Sequence, residues 1–274
     1  MATNSEQQLD STPCSPLGTL IVIGGHERKE GGNPIMRSIA DRARSGKLVI
    51  ATLASDEPDE QWTEYRQVFR ECGVQNIEQF DTRTREEALR VTPDFFDQNT
   101  TVFFAGGNQL KITRSFGGTA LCDRLREIYR QGATIAGTSS GASVMTEVMM
   151  AGGQSNSSHE EGDSLQLAPG LGFISGVIID QHFAERGRIG RLLGAVAENP
   201  RLLGIGIDED TALVIKGHHE AEVIGSGAVY VVDGREITGN RKEEGVMSAF
   251  GVRLHVLSSG DRINLATRTP EHGC

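Results

Sequence analysis

The stretch Ala133-Thr-Ile-Ala-Gly-Thr-Ser-Ser-Gly-Ala142 places a short apolar run directly before Gly137-Thr-Ser-Ser-Gly141, and a helix-like segment, residues 142–150, follows. In that context a G-x-S-x-G sequence marks an elbow, where a buried strand turns sharply into a helix and lifts a serine hydroxyl clear of the backbone. The flanking glycines leave room for the turn, and the helix N-terminus behind it offers unpaired N–H groups to a developing oxyanion. Ser139 is thereby nominated as a nucleophile.

Outward from the elbow, the same punctuation recurs. Thr19–Ile23 stops at Gly24-Gly25, Lys47–Ala51 stops near Ser55, and the run 101–105 stops at Gly106-Gly107. Continuously apolar strands of this length are buried on both faces. Helical patterns lie between them at 60–72, 85–89 and 120–130, so the order is β-α-β-α and the expected class is α/β, a mostly parallel central sheet with helices on both faces. Beyond residue 204 the pattern changes to short strands separated by Gly-containing turns, at 203–207, 211–216, 221–224, 229–232 and 252–257, expected at the edge of the sheet and partly antiparallel. A polar linker, 152–164, is read as a substrate-facing lid, a dimer contact or plain surface slack.

Composition narrows the function classes. The chain has 274 residues, 37% hydrophobic and 23% charged, and 27 Lys+Arg against 37 Asp+Glu give a formal charge of −10. That balance disfavours a nucleic-acid partner. Cys14, Cys72, Cys122 and Cys274 are scattered and form no C-x-x-C, which argues against a disulfide framework or a cysteine-rich metal site and for a cytoplasmic setting. Residues 1–16 are polar, lack Lys and Arg, and are read as a disordered tail; no run approaches the length of a membrane span. Residues 17–274 are expected to form a single catalytic α/β domain.

Ligands of an open parallel sheet bind outside the carboxyl ends of its strands. Gly24-Gly25-His26, Gly106-Gly107-Asn108-Gln109 and the Ser139 elbow all fall there. Gly107, with the N–H of Ser140, is a candidate oxyanion hole. The first glycine pair lacks the remainder of a dinucleotide-binding fingerprint. Of seven histidines, His26, His159, His218, His219, His255 and His272 sit in polar or turn-like surroundings where a solvated imidazole is expected. His255 is expected to face away from the apolar side formed by Val252, Leu254 and Val256. His182 differs, because it follows the apolar run Val177-Ile178-Ile179 by way of Asp180-Gln181 and leaves the sheet at the same edge as the elbow, the place for a general base. Asp208, Glu209 and Asp210 end another apolar strand; any of the three is placed to orient His182, and spacing does not choose among them. The order Ser, His, acid differs from that of α/β-hydrolases. Arg186, Arg188 and Arg191 follow the histidine closely and point to carboxylate recognition through paired N–H donors.

The segments 104–109, 137–142, 170–173, 180–192 and 206–212 together resemble the serine exopeptidases of the cyanophycinase and aspartyl dipeptidase family, over nearly the whole chain from Leu17 to beyond Gly251. The string Asp-Gln-His-Phe followed by three arginines is the most specific part. The resemblance implies a class I glutamine amidotransferase-like fold, Ser139 as nucleophile, His182 as base and Glu209 as acid. It implies substrate contacts at Gln109, Asp180, Gln181, Arg186, Arg188 and Arg191, no metal and no cofactor, and a homodimer. The implied substrate is cyanophycin, a polyaspartate with arginine on each β-carboxyl, released as β-Asp-Arg dipeptides; the alternative is a peptidase acting on short Asp-X peptides. Ser140, usually alanine in that family, and Asn108, often acidic there, are the departures.

Overall fold

A computed structural model describes residues 17–152, 166–217, 219–243 and 246–273. The tail 1–16, Cys14, Cys274, His159, His218 and nearly all of the 152–164 linker lie outside the described residues. Among the described residues seventeen strands run in chain order: β1 Thr19–Ile23, β2 Lys47–Ala51, β3 Ile77–Phe80, β4 Thr100–Phe104, β5 Thr134–Thr138, β6 Val148–Gly152, β7 Gln166–Pro169, β8 Val177–Gln181, β9 Leu203–Ile207, β10 Thr211–Lys216, β11 Glu220–Gly225, β12 Val229–Asp233, β13 Gly239–Glu243, β14 Val246–Phe250, β15 Arg253–Leu257, β16 Arg262–Asn264 and β17 Thr269–Glu271. The helices are α1 Pro34–Ala43, α2 Pro58–Glu71, α3 Arg85–Arg90, α4 Gln109–Ser115, α5 Ala120–Arg130, α6 Ser140–Ser143 and α7 Ile189–Glu198.

The largest sheet has nine strands in the order β17-β16-β11-β10-β1-β5-β4-β2-β3. Strands β1 to β5 form its parallel part, and β10, β11, β16 and β17 extend it antiparallel. The later strands do not all join that edge, however. Strands β9, β12 and β15 instead join β8 in a separate four-stranded sheet, in the order β15-β12-β9-β8. One face of the large sheet packs on α1 and α2 through Ile21, Ile23, Ile35, Ile39, Val68 and Phe69. The other packs on α5 and on the second sheet through Leu20, Val22, Leu125, Ile128, Ile179 and Ile205. The outer side of the second sheet is covered by α7.

Alternation along β4 shows how the apolar runs carry both faces. Phe103 stacks 4.7 Å from Tyr65 and 5.5 Å from Phe69 beneath α2, while Phe104 turns to Phe116 on the opposite side at 6.3 Å. Each ring is fully buried, a contribution of about 1.5–3 kcal/mol apiece.

Two expectations are corrected. The helix after the elbow does not run to Met150: α6 is one turn, ending where the Thr146 hydroxyl lies 3.0 Å from Ser143 O and 2.7 Å from Val148 O. The chain then enters β6, which pairs with β7, as β-branched Val144, Thr146 and Val148 favour. His255 does not face solvent opposite an apolar side either. It pairs with buried Val231, whereas Leu254 and Val256 are 47% and 59% exposed, because the edge strand β15 turns its apolar residues outward.

Candidate active site

The carboxyl ends of β1, β4 and β5 are in register, Ile23 beside Thr138 and Phe104 beside Gly137, and the ends of β8 and β9 align with Gln181 beside Ile207. Ser139, His182, Glu209 and the glycine pairs 24–25 and 106–107 follow closely on these five ends. Ser139 turns the chain from β5 into α6 at φ 52°, ψ −116°, a strained conformation for a non-glycine residue. The flanking glycines answer to packing: a Cβ on Gly137 would lie 2.4 Å from Gly141 O, and one on Gly141 would lie 2.3 Å from Phe104 O. Gly106 lies against the serine, where an added Cβ would be 3.9 Å from its Oγ. Among the described residues the N–H groups of Gly107 and Ser140 donate to no backbone or side-chain acceptor. Gly107 adopts φ 143° with Ala54 O only 2.1 Å from where a Cβ would stand, so its backbone alone is presented.

His182 is 4% exposed. Its Nε2 is 2.9 Å from Ser139 Oγ and its Nδ1 is 2.7 Å from Glu209 Oε1. A carboxylate only accepts, so the ring proton belongs on Nδ1 and Nε2 keeps a lone pair for the serine hydroxyl. Burial lowers the imidazole pKa below its usual 6.5, partly offset by the bond to Glu209. Partial burial works to raise the Glu209 carboxyl, but bonds from His182 and His26 outweigh it and the net pKa is lowered. Glu209 is held from behind as well, its N–H donating to Glu185 Oε1 at 3.2 Å.

The two neighbouring acids are occupied. Asp208 accepts from the N–H groups of Ala184 and Ala228 at 2.9 and 3.1 Å. Asp210 accepts from Arg28 N, Arg28 Nε, Asn33 Nδ2 and Ser226 Oγ at 2.7–3.0 Å. Glu209 alone of the three reaches the histidine.

The first glycine pair has a local reason unrelated to nucleotides. A Cβ on Gly25 would fall 2.2 Å from His182 Cε1 and 2.5 Å from Nε2, and one on Gly24 would fall 2.0 Å from Asp208 O. His26, read from sequence as solvated, is 72% exposed at its side chain yet places Nδ1 3.1 Å from Glu209 Oε2. The next residue was not singled out at all. Glu27 is 3% exposed; its carboxylate accepts from Tyr65 OH and Thr138 Oγ1, both at 2.6 Å, which ties the residue before Ser139 to α2. Burial raises its pKa. The alternation of an acid between cationic neighbours gave no sequence signal for this role.

Over the serine opens a cavity of about 580 Å³, lined among others by Gln109, Gln181, Arg186, Arg188 and Arg191. The arginines differ in kind. Asp180, fully buried, accepts from Arg188 Nη1 at 3.1 Å and from Arg191 Nε at 2.6 Å, and Gln181 also accepts from Arg188. Asp180 is therefore a clamp beneath two guanidiniums rather than an acceptor open to a ligand. Burial lowers the Arg188 pKa to about 10, with Asp180 opposing that shift. Arg186 is exposed; its backbone N–H donates to His182 O at 3.2 Å, and its guanidinium has no hydrogen-bond partner among the described residues. Gln109 donates to Met150 O at 2.9 Å. Asn108 caps α4 through Leu110 N at 2.9 Å, a task an aspartate also performs. The Ser140 hydroxyl is buried without a hydrogen-bond partner among the described residues. Among the described residues, the side chains placed to share a metal ion are His26, His182 and Glu209, whose ligand atoms lie within 4.8 Å of one another.

A family model described as Peptidase family S51 matches residues 20–223. The chain is 39% identical over 267 residues to the cyanophycinase of Trichormus variabilis, covering 94% of this chain and 89% of that one. It is 37% identical over 263 residues to the cyanophycinase of Geminocystis herdmanii, covering 93% and 96%. A peptidase from an acI-B1 actinobacterium shares the fold at a TM-score of 0.67, with 22% identity and coverage of 92% and 98%. The architecture is that of class I glutamine amidotransferase-like α/β proteins.

Proposed function

The chain belongs to peptidase family S51, and on that footing we propose that it is a serine exopeptidase that cleaves cyanophycin to β-Asp-Arg dipeptides. The observation that carries the reading is the continuous relay from Ser139 Oγ through His182 to Glu209, at 2.9 and 2.7 Å, on the floor of an arginine-walled cavity. Similarity to cyanophycinases over nearly the whole chain supports this substrate over short Asp-X peptides.

In the reaction so drawn, His182 Nε2 takes the proton from Ser139 as the oxygen attacks the α-peptide carbonyl between two branched aspartates. Glu209 keeps the imidazole in its tautomer and stabilises the imidazolium. The N–H groups of Gly107 and Ser140 receive the oxyanion. His182 then protonates the leaving amine, and water, activated by the same nitrogen, releases the acyl group. Arg186 is the free cation for a substrate carboxylate; Gln109, Gln181, Arg188 and Arg191 complete the wall, with Asp180 holding the last two in place. Neither metal nor cofactor enters.

We place the enzyme in the cytoplasm, with residues 17–274 as one catalytic domain. Cys72 and Cys122 are free and buried, and among the described residues no helix is long and apolar enough to cross a membrane. A homodimer is the assembly we assign, and the outward Phe250, Leu254 and Val256 are an apolar surface for it to cover. The test is incubation with insoluble cyanophycin, following clearing and the mass of the soluble products. Release of β-Asp-Arg that disappears in Ser139→Ala is expected; an inert wild-type protein, or an active Ser139→Ala, overturns the reading.

A further inference from the structure

We propose that His26, His182 and Glu209 form a binding site for a zinc-like divalent cation, and that occupancy of this site reversibly switches the peptidase off. The inference rests, for its inhibitory half, on the catalytic reading above; the site itself rests on geometry alone. Two imidazoles and one carboxylate are the donor set of many three-ligand zinc sites, with the fourth position left to water or substrate. Here Glu209 already bridges the two rings, Oε1 to His182 Nδ1 at 2.7 Å and Oε2 to His26 Nδ1 at 3.1 Å. The rings stand nearly perpendicular, with centroids 5.1 Å apart.

Donor atoms around tetrahedral zinc are about 3.3 Å apart, and the present ones lie within 4.8 Å. Closing that gap takes a shift of one side chain, and His26, 72% exposed, is free to make it. His182 and Glu209 stay where the fold has fixed them. His26 and His182 both line the cavity over the serine, so the remaining coordination position faces water. Nitrogen donors select zinc or cobalt over magnesium and calcium, which prefer all-oxygen sites.

Inhibition follows from the single proton on a neutral imidazole. If the ion takes His182 Nδ1, the proton found there has to move to Nε2, where it points at Ser139 Oγ and leaves no lone pair to receive the serine proton. If the ion takes Nε2, the lone pair is consumed directly. Either way the ring stays neutral and the base is lost.

The test uses the full chain, freed of metal, in four forms: wild type, Ser139→Ala, His26→Gln and Glu209→Gln. Co²⁺ is titrated with visible absorption as the readout and Zn²⁺ by calorimetry, while hydrolysis is followed against Zn²⁺ and Mg²⁺. One ion per chain is expected in wild type and Ser139→Ala, with affinity about 100-fold weaker in His26→Gln. Zinc, not magnesium, should inhibit wild type at the concentrations at which it binds. In His26→Gln, compared with its own zinc-free rate, inhibition should require correspondingly more zinc, and an unchanged melting temperature shows that the variant is folded. Wild-type affinity retained in both His26→Gln and Glu209→Gln, or absence of binding to an active wild type, overturns the site. Binding that obeys the pattern in a protein with no cyanophycin-cleaving activity supports the site and refutes the catalytic reading instead.

Discussion

Replacing Glu209 by Gln isolates the charge that the relay needs while preserving shape. The carboxylate oxygen is 2.7 Å from His182 Nδ1, so when the ring becomes cationic the two charge centres are about 4 Å apart, an attraction of about 4 kcal/mol at an effective dielectric of about 20. At about 1.4 kcal/mol per factor of ten, losing it should lower kcat by about 10³-fold. Stability should barely change, because Glu209 is 25% exposed and its bonding partner is neutral in the resting enzyme. Asp210→Asn should do the opposite. That carboxylate receives four hydrogen bonds linking the turn to Arg28, Asn33 and Ser226, and weakening them should cost about 2–3 kcal/mol with a much smaller effect on turnover per folded molecule. The assay pairs dipeptide release with thermal denaturation of both variants. A Glu209→Gln enzyme within tenfold of wild type, or a larger kcat loss in Asp210→Asn, refutes the assignment of the acid.

Gly25→Ala should reduce kcat by about 100-fold or more, since the new methyl would overlap His182 at 2.2 Å and push the ring off the serine; unaltered kinetics in a folded variant would show that the loop yields instead. Arg186→Ala should raise KM with no loss of melting temperature, whereas Arg191→Ala should cost about 3–5 kcal/mol of stability by leaving fully buried Asp180 with Arg188 as its remaining cation. Denaturant melts and steady-state kinetics on both variants separate the two arginines, and equal behaviour would count against the division. Because burial holds the His182 pKa below 6.5, the base stays unprotonated through mild acid, and the acid limb of kcat/KM should fall below pH 6.5; a midpoint above that value would contradict the environment described for this ring.

The parallel half of the sheet was legible because its strands are buried on both faces, and a strand so buried reads as an unbroken apolar run. Strands β1 and β2 match their expected limits residue for residue, as do β9 and β10 outside the parallel part. What escaped was decided elsewhere in the chain. Helix α1 is announced by the Asn33 side chain, 2.8 Å from Ile35 N, and by Pro34 in the first turn, a capping signal hidden by the glycines before it. Ser139 and His182 were visible because strand ends punctuate the sequence. Glu209 was not separable from Asp208 and Asp210, since the three share one turn and their partners come from 16 to 182 residues away. Asp180 looked like a ligand for substrate because nothing in its neighbourhood shows that Arg188 and Arg191, eight and eleven residues on, fold back onto it.

The backbone explains why the Ser139–His182–Glu209 relay, assembled from distant segments, is rigid. Among the described residues, five non-glycine positions have positive φ, and four of them are His26, Ser139, His182 and Asp210. Each such conformation costs about 1–3 kcal/mol and persists only where the surroundings over-determine it. Here the surroundings are three consecutive carbonyls at the end of β1. Ile23 O accepts from Ser139 N at 3.0 Å, Gly24 O from His182 N at 2.8 Å and Gly25 O from Asp210 N at 2.9 Å. One short loop therefore ties down the proposed nucleophile and base, each one residue beyond the end of its strand, and Asp210, which follows the proposed acid and precedes β10. The glycines at 24 and 25 are what allow that loop to come so close, since a Cβ at either would strike Asp208 or the His182 ring. Strain at the three segments and the missing side chains at 24 and 25 are then a single feature. The core layers on both faces of the sheet hold the strand ends, the strand ends hold the loop, and the loop fixes the Ser139–His182 and His182–Glu209 separations before any substrate arrives.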